Sequence, residues 1–134
     1  MVSQWPEDRR YTQEHEWVKA TSGVARIGVT AHAAEALGDI VYATLPMVGA
    51  KVRAGDACAE LESTKSVSDV YTPVDGVIAA INEALADAPE TINADPFGEG
   101  WLFDVEIEGD DLTHGLLDAE AYDRLIGGLG GLGG

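Results

Sequence analysis

Lysine is scarce in this chain, occurring at positions 19, 51 and 65, and Lys65 stands at the centre of a near-symmetric pattern. On its N-terminal side Ala57, Ala59 and Leu61 alternate with Glu60 and Glu62. On its C-terminal side Val67 and Tyr71 share one parity, with Asp69 as a polar exception, while Ser68, Val70 and Thr72 share the other. Alternation on both sides of Ser63-Thr64-Lys65-Ser66 predicts two antiparallel strands joined by a tight turn. Gly55 lies ten residues before Lys65 and Gly76 eleven after it, so two further turns frame the lysine almost evenly. The chemistry on offer is that of a solitary primary amine held out in solvent at a hairpin tip.

Other reactive side chains are less organised. Cys58 has no second cysteine to pair with and no His or Asn arranged to activate it, so it reads as a structural thiol in a reducing compartment. His15, His32 and His114 are scattered without metal-ligand spacing. Trp101 and Phe103 read as core, because no basic residues are interleaved with them to make a stacking platform. Across the 134 residues, 24 acids against 8 bases give a formal net charge of −16. Such a surface repels phosphate backbones and anionic headgroups, which argues against nucleic acid and membrane as partners, and it is steered toward basic protein faces. The first ten residues lack the apolar run of a secretory leader, and nothing reaches membrane-spanning length, which points to a cytoplasmic protein; a mature mitochondrial matrix protein also fits.

The elements that must position Lys65 follow from the rest of the chain. Residues 1–10 are polar and aperiodic and are expected to form a flexible arm; residues 11–126 make a single domain; residues 127–134, rich in glycine, are expected to be a flexible tail. Residues 11–19 and 24–29 predict a hairpin around Thr21-Ser22-Gly23. Thr30 caps a short helix over residues 31–37 that Gly38 stops, and an apolar strand over residues 40–45 ends at Pro46. Residues 77–81 read as a strand buried on both faces, and Asn82 as the cap of a helical stretch over residues 83–88 closed by Pro89. Trp101, Phe103, Val105 and Ile107 alternate with Asp104, Glu106 and Glu108, which predicts a strand with one wet face. Asp118 is the expected N-cap of a last helix, with Leu117 and Tyr122 as its hydrophobic staple and Leu117, Ala121 and Leu125 along one side.

The framed lysine, with Glu62 three residues before it, resembles the lipoyl and biotinyl carrier modules. Biotin carriers usually flank the lysine with methionines; Thr64 and Ser66 stand here, which favours lipoyl. More narrowly, the chain resembles the H proteins of glycine cleavage systems. The likeness is carried by Tyr11-Thr12, His15-Glu16-Trp17-Val18, Gly28-Val29-Thr30, Leu37-Gly38-Asp39-Ile40-Val41 and Leu45-Pro46. It continues through Glu62-Ser63, Lys65, Val67-Ser68-Asp69-Val70-Tyr71, Pro73, Gly76, Pro89 and the run from Asn93 to Leu102. Ser66, Met47, Thr91 and Phe97 depart from the residues usual there, and none of them removes the lysine.

The resemblance implies a mainly β fold: a lipoyl-type β-sandwich, or barrel-sandwich hybrid, with short peripheral helices and a C-terminal helix. It implies a non-catalytic, monomeric carrier with lipoic acid in amide linkage on Lys65, and Glu62 as a determinant read by the lipoyl-attaching enzyme. The ring disulfide of such an arm is strained and opens readily. By the same analogy the partners are a pyridoxal-phosphate glycine decarboxylase, which loads an aminomethyl group, a tetrahydrofolate-dependent aminomethyltransferase, which unloads it, and dihydrolipoamide dehydrogenase, which recloses the ring. Acidic steering suits successive fast, weak encounters with three enzymes. Glu16 and Asp69 are expected to line a cleft that holds the loaded, cationic arm away from water. Competing uses are a lipoyl relay or redox scaffold on the same fold, a biotin carrier, and a ubiquitin-like carrier acting through Gly133-Gly134.

Overall fold

The computed structural model describes residues 5–107 and 115–129. Among the described residues, nine strands form two sheets. The larger sheet holds β1 (Arg10–Tyr11), β2 (Glu16–Thr21), β3 (Val24–Val29), β9 (Phe103–Glu106), β8 (Gly76–Ile81) and β5 (Lys51–Val52), in that spatial order. The smaller holds β4 (Ile40–Thr44), β6 (Ala57–Ser63) and β7 (Val67–Tyr71). Every pairing is antiparallel. Side chains from both sheets meet in one apolar cluster: Val18, Ile27, Phe103, Val105 and Ile78 from the larger, Ile40, Leu61 and Val70 from the smaller. This is the expected mainly β sandwich, with helices at its margins.

The alternation around Lys65 has the predicted outcome. On β6, Ala59, Leu61 and Ser63 are buried and Glu60 and Glu62 exposed. On β7 the inward parity is that of Ser68, Val70 and Thr72, so Asp69 is no exception: it shares the outward face with exposed Val67. Helix α1 (Ala31–Leu37) starts at Thr30, whose Oγ1 accepts the Ala33 amide at 3.2 Å, and ends at Gly38, with φ 84° and its amide on the Ala34 carbonyl. These are the predicted cap and stop. Helix α2 (Thr91–Ala94) is a single turn, and α3 (Ala119–Leu129) begins where the Asp118 carboxylate accepts the Ala121 amide at 2.8 Å.

Several expectations need correction. Residues 11–19 do not form one strand. Thr12 Oγ1 accepts the amides of Glu14 and Glu16, and the Thr12 carbonyl accepts that of His15, so a turn with His15 at φ 70° separates β1 from β2. Such short-range hydroxyl bonds compete with strand pairing. The expected loose arm is packed from Trp5 onward. Trp5 is 6% exposed, Arg9 lies over the Trp17 ring at 4.6 Å, and Arg10 belongs to β1. Strand β8 is not buried on both faces, because Ala79 is exposed. Asn82 does not cap the following helical turn, a 3-10 helix limited to Glu83–Ala86; its Nδ2 instead donates to the Glu99 and Trp101 carbonyls at 2.8 Å each.

On β9, Asp104 is buried against the expected wet face, because the Arg26 guanidinium meets its carboxylate at 2.9 and 3.1 Å while stacking on Trp101 at 3.8 Å. Glu108 and His114 lie outside the described residues. Among the described side chains of α3, Ala119 and Tyr122 are buried and Ala121 and Leu125 half-buried, as is Leu117 just ahead of the helix. That helix also continues past Ile126 into the glycine-rich stretch; residues 130–134 lie outside the described residues.

Candidate functional site

Lys65 sits, exposed, in the turn between β6 and β7. The turn is organised by Ser63, whose hydroxyl accepts the amides of Lys65 at 3.1 Å and Ser66 at 3.0 Å and donates to the Ser66 carbonyl at 3.2 Å. The Ser63 amide also donates to the Ser66 carbonyl at 2.8 Å. Because Ser63 is 7% exposed, little water competes for these bonds, and the bend has a fixed shape while its lysine is exposed.

A second contact braces the tip from the side. The Thr64 amide donates to the Asp39 carbonyl at 3.1 Å, tying the turn to the connection between α1 and β4. The lysine stem lies across Gly38: a methyl group built there would fall 2.9 Å from Lys65 Cε. Glycine therefore serves twice at position 38, for its positive φ and for the room it leaves. Asn93 on α2 fixes this connection. Its Nδ2 donates to the Gly38 carbonyl at 2.8 Å and its Oδ1 accepts the Ile40 amide at 2.9 Å.

The carboxylates have separate situations. Glu62, on the last full pair of the hairpin opposite Val67, is exposed. Asp69 is exposed on β7 opposite Glu60. Glu16, at the start of β2, is 3% exposed. Thr12 Oγ1 donates to its Oε1 at 3.0 Å and the Tyr71 amide to its Oε2 at 2.8 Å, so this one side chain stitches the larger sheet to β7. Burial pushes its carboxyl up to about 7 against the pull of those two donors. The structure thus does not bring the two expected cleft residues to one surface: Glu16 is sealed within the sandwich, and Asp69, on β7, faces solvent.

His15 is tied into the same region. Its Nδ1 is 2.8 Å from the Tyr122 hydroxyl, which is also 2.8 Å from Thr30 Oγ1, and its ring lies 4.7 Å from that of His32. Burial, and then the neighbouring His32, hold its imidazole below the ordinary range. Cys58, half-buried on β6, has its thiol pushed up by burial, as a packed thiol would. A concavity of about 1020 Å³ lies at the other end of the hairpin, lined by Arg53, Asp56, Asp75 and Glu106 among others. The seven residues of β6 separate it from Lys65 by roughly 20 Å.

The sequence reading missed Ser63 as the hub of the turn and Asn93 as the brace of the platform. For Ser63 the signal was local, a hydroxyl at a strand-to-turn junction. For Asn93 it was absent, since its partners lie 53 and 55 residues away.

An antiparallel sandwich that holds out one lysine on a pinned hairpin is the scaffold of a lipoyl-type carrier module. The chain belongs to the glycine cleavage H-protein family, whose model matches residues 9–127. It is 56% identical over 124 residues to the glycine cleavage system H protein of Beutenbergia cavernae, covering 92% of this chain and 97% of that one. The corresponding protein of Thermobifida fusca is 51% identical over 125 residues, covering 93% and 98%. Among solved structures, the glycine cleavage system H protein of Mycobacterium marinum superposes with a TM-score of 0.84 at 43% identity, covering 92% of this chain and 99% of that chain.

Proposed function

We propose that this protein is the lipoyl-bearing carrier of a cytoplasmic glycine cleavage system, with lipoic acid in amide linkage on Lys65, and that it catalyses no reaction itself. The observation that carries the reading is Lys65 exposed on a turn that Ser63 and Asp39 hold in one shape. A pinned backbone with a free amine presents one defined target to an attaching enzyme, with little ordering left to be done on encounter. Lys19, by contrast, reaches Asp8 at 3.1 Å, and Lys51 lies on a two-residue strand of the larger sheet.

When bound, the lipoyl group supplies a ring disulfide that accepts an aminomethyl group and is later reclosed by oxidation. The chain's own residues do the rest. The hairpin holds the attachment point proud of the sandwich, so that partners reach it without unfolding it. Glu62 is positioned for reading by the lipoyl-attaching enzyme. Asp69, exposed on the outward face of β7, can pair with the cation of a loaded arm lying back along that strand.

The partners are the glycine decarboxylase, the aminomethyltransferase, dihydrolipoamide dehydrogenase and the attaching enzyme. A formal charge of −16 favours rapid, salt-sensitive encounters with basic faces on each. Incubation with lipoate, ATP and a lipoate ligase, followed by intact mass and peptide mapping, tests the assignment. One lipoyl adduct on Lys65, abolished in Lys65→Ala, is expected; an adduct on Lys19 or Lys51 overturns it.

A further inference from the structure

Three elements meet in one hydrogen-bond chain: His15 in the turn before β2, Thr30 at the start of α1, and Tyr122 on α3. Thr30 Oγ1 accepts the Ala33 amide at 3.2 Å and lies 2.8 Å from the Tyr122 hydroxyl, which is in turn 2.8 Å from His15 Nδ1. Acceptor count gives these bonds a direction. Among the described residues, the Tyr122 oxygen is the one acceptor open to the Thr30 proton, so Thr30 donates to Tyr122. Tyr122, whose phenol burial pushes up to about 12, keeps its own proton and donates it to His15 Nδ1. His15 is thereby held as the neutral tautomer with its proton on Nε2. Thr30 and Tyr122 are both 0% exposed, so solvent does not stand in for a missing partner.

We propose that this chain is a proton-operated latch: a proton on His15 breaks it and unfastens the C-terminal helix from the cap of α1. An imidazolium donates from both nitrogens. With Nδ1–H aimed at the Tyr122 oxygen, the phenol proton must turn back toward Thr30, and one of the two hydroxyl protons is left without an acceptor in a buried site. The His32 ring, 4.7 Å from that of His15, repels it further when both are charged. The remaining ionisable groups do not offset this. Glu14 in the turn favours the charged ring but is exposed, as is Glu35 on α1, and Glu16 turns inward to the Tyr71 amide. On α3, Asp118 accepts the Ala121 amide and Asp123 the Trp5 indole N–H. An imidazole held below its ordinary 6.5 favours the folded state when neutral. The latch is therefore closed above pH 6.5 and opens as pH falls through the lowered folded value. Glu16 works in the opposite sense over an overlapping range, so the latch is read locally and not from whole-molecule unfolding.

The test is a long-range nitrogen–proton NMR titration of the full chain, from about pH 8 to about pH 5. At the upper end His15 is expected as the Nε2–H tautomer, with no proton on Nδ1. Tyr122→Phe removes the donor that favours the neutral ring, and is expected to raise the proton affinity of His15 about tenfold. A ring held down by burial and His32 alone would keep its midpoint. Amide-exchange protection gives a second reading. In the wild type, protection of the Ala33 and Tyr122 amides is expected to fall about tenfold across the His15 titration. His15→Gln keeps an acceptor for the Tyr122 hydroxyl and takes up no proton, and is expected to hold that protection flat. Far-UV circular dichroism confirms that each variant is folded. An Nδ1–H tautomer in the wild type overturns the latch without recourse to any variant. So does an unchanged His15 midpoint in folded Tyr122→Phe, or protection that falls equally in His15→Gln. None of these readings depends on what Lys65 carries, so the latch and the carrier assignment stand or fall separately.

Discussion

Glu16 shows how one buried side chain links stability to pH. Its carboxyl has a folded-state pKa of about 7 against an ordinary value of 4.5, because burial outweighs the hydrogen bonds from Thr12 and Tyr71. A carboxyl whose pKa rises on folding favours the folded state most when protonated. Its contribution is complete below pH 4.5 and is lost as pH climbs through 7. The difference amounts to roughly 3 kcal/mol. Glu16→Gln keeps an acceptor for the Tyr71 amide and has no proton to lose. The variant is therefore expected to show a shallower decline in urea midpoint between pH 4.5 and 7 than the wild type, with the two curves diverging most at the upper end. Parallel curves for the two proteins would place the titration elsewhere.

Among the elements, the connection between α1 and β4 does for Lys65 what the hairpin alone does not. A two-stranded ribbon is marginal by itself, and here its tip is held by the Asp39 carbonyl on a segment that Asn93 fixes from α2. Asn93→Ala leaves the Ile40 amide and the Gly38 carbonyl without their partner, and Ile40 is 2% exposed. A loss of roughly 1–3 kcal/mol is expected by urea denaturation. Faster hydrogen exchange at the Ile40 and Thr64 amides should accompany it. Exchange that quickens at Ile40 alone would show that the tip does not depend on the platform. The hairpin itself was legible in the sequence, because alternation and turn chemistry act between near neighbours. So were the Thr30 and Asp118 caps, each a side chain bonding three residues ahead. What stayed hidden acts across the sandwich. Glu16 meets Tyr71 at a separation of 55 residues, and Asn82 meets Trp101 at 19. An asparagine ahead of a helical turn reads the same whether it caps that turn or bridges to another strand, and only the fold decides.

At the scale of the whole molecule, the two ends of the described chain are locked to each other behind the sandwich. Trp5 packs edge-on against Tyr122 at 5.2 Å and donates its indole N–H to Asp123 at 2.8 Å, while Tyr11 stacks on Tyr122 at 4.8 Å. Arg9 lies over Trp17 and Phe97 and donates to the Phe97 carbonyl at 2.9 Å. Tyr122 then reaches Thr30 and His15, so the aromatic cluster connects α3 to the N-terminal cap of α1, whose other end carries Gly38 against the Lys65 stem. A polar composition hid this, because a single buried tryptophan in an aperiodic stretch makes no pattern. Removal of residues 1–9 is expected to cost roughly 3–5 kcal/mol, the scale of deleting one large buried aromatic side chain. The urea midpoint should fall accordingly. Lipoylation of Lys65 well below that midpoint should persist, because the hairpin and its platform draw their contacts from residues 38–93. A truncated protein as stable as the full chain would show that the segment merely rests on the sandwich. One that is folded yet refractory to lipoylation would mean that the ends of the chain govern the lysine across the whole length of α1.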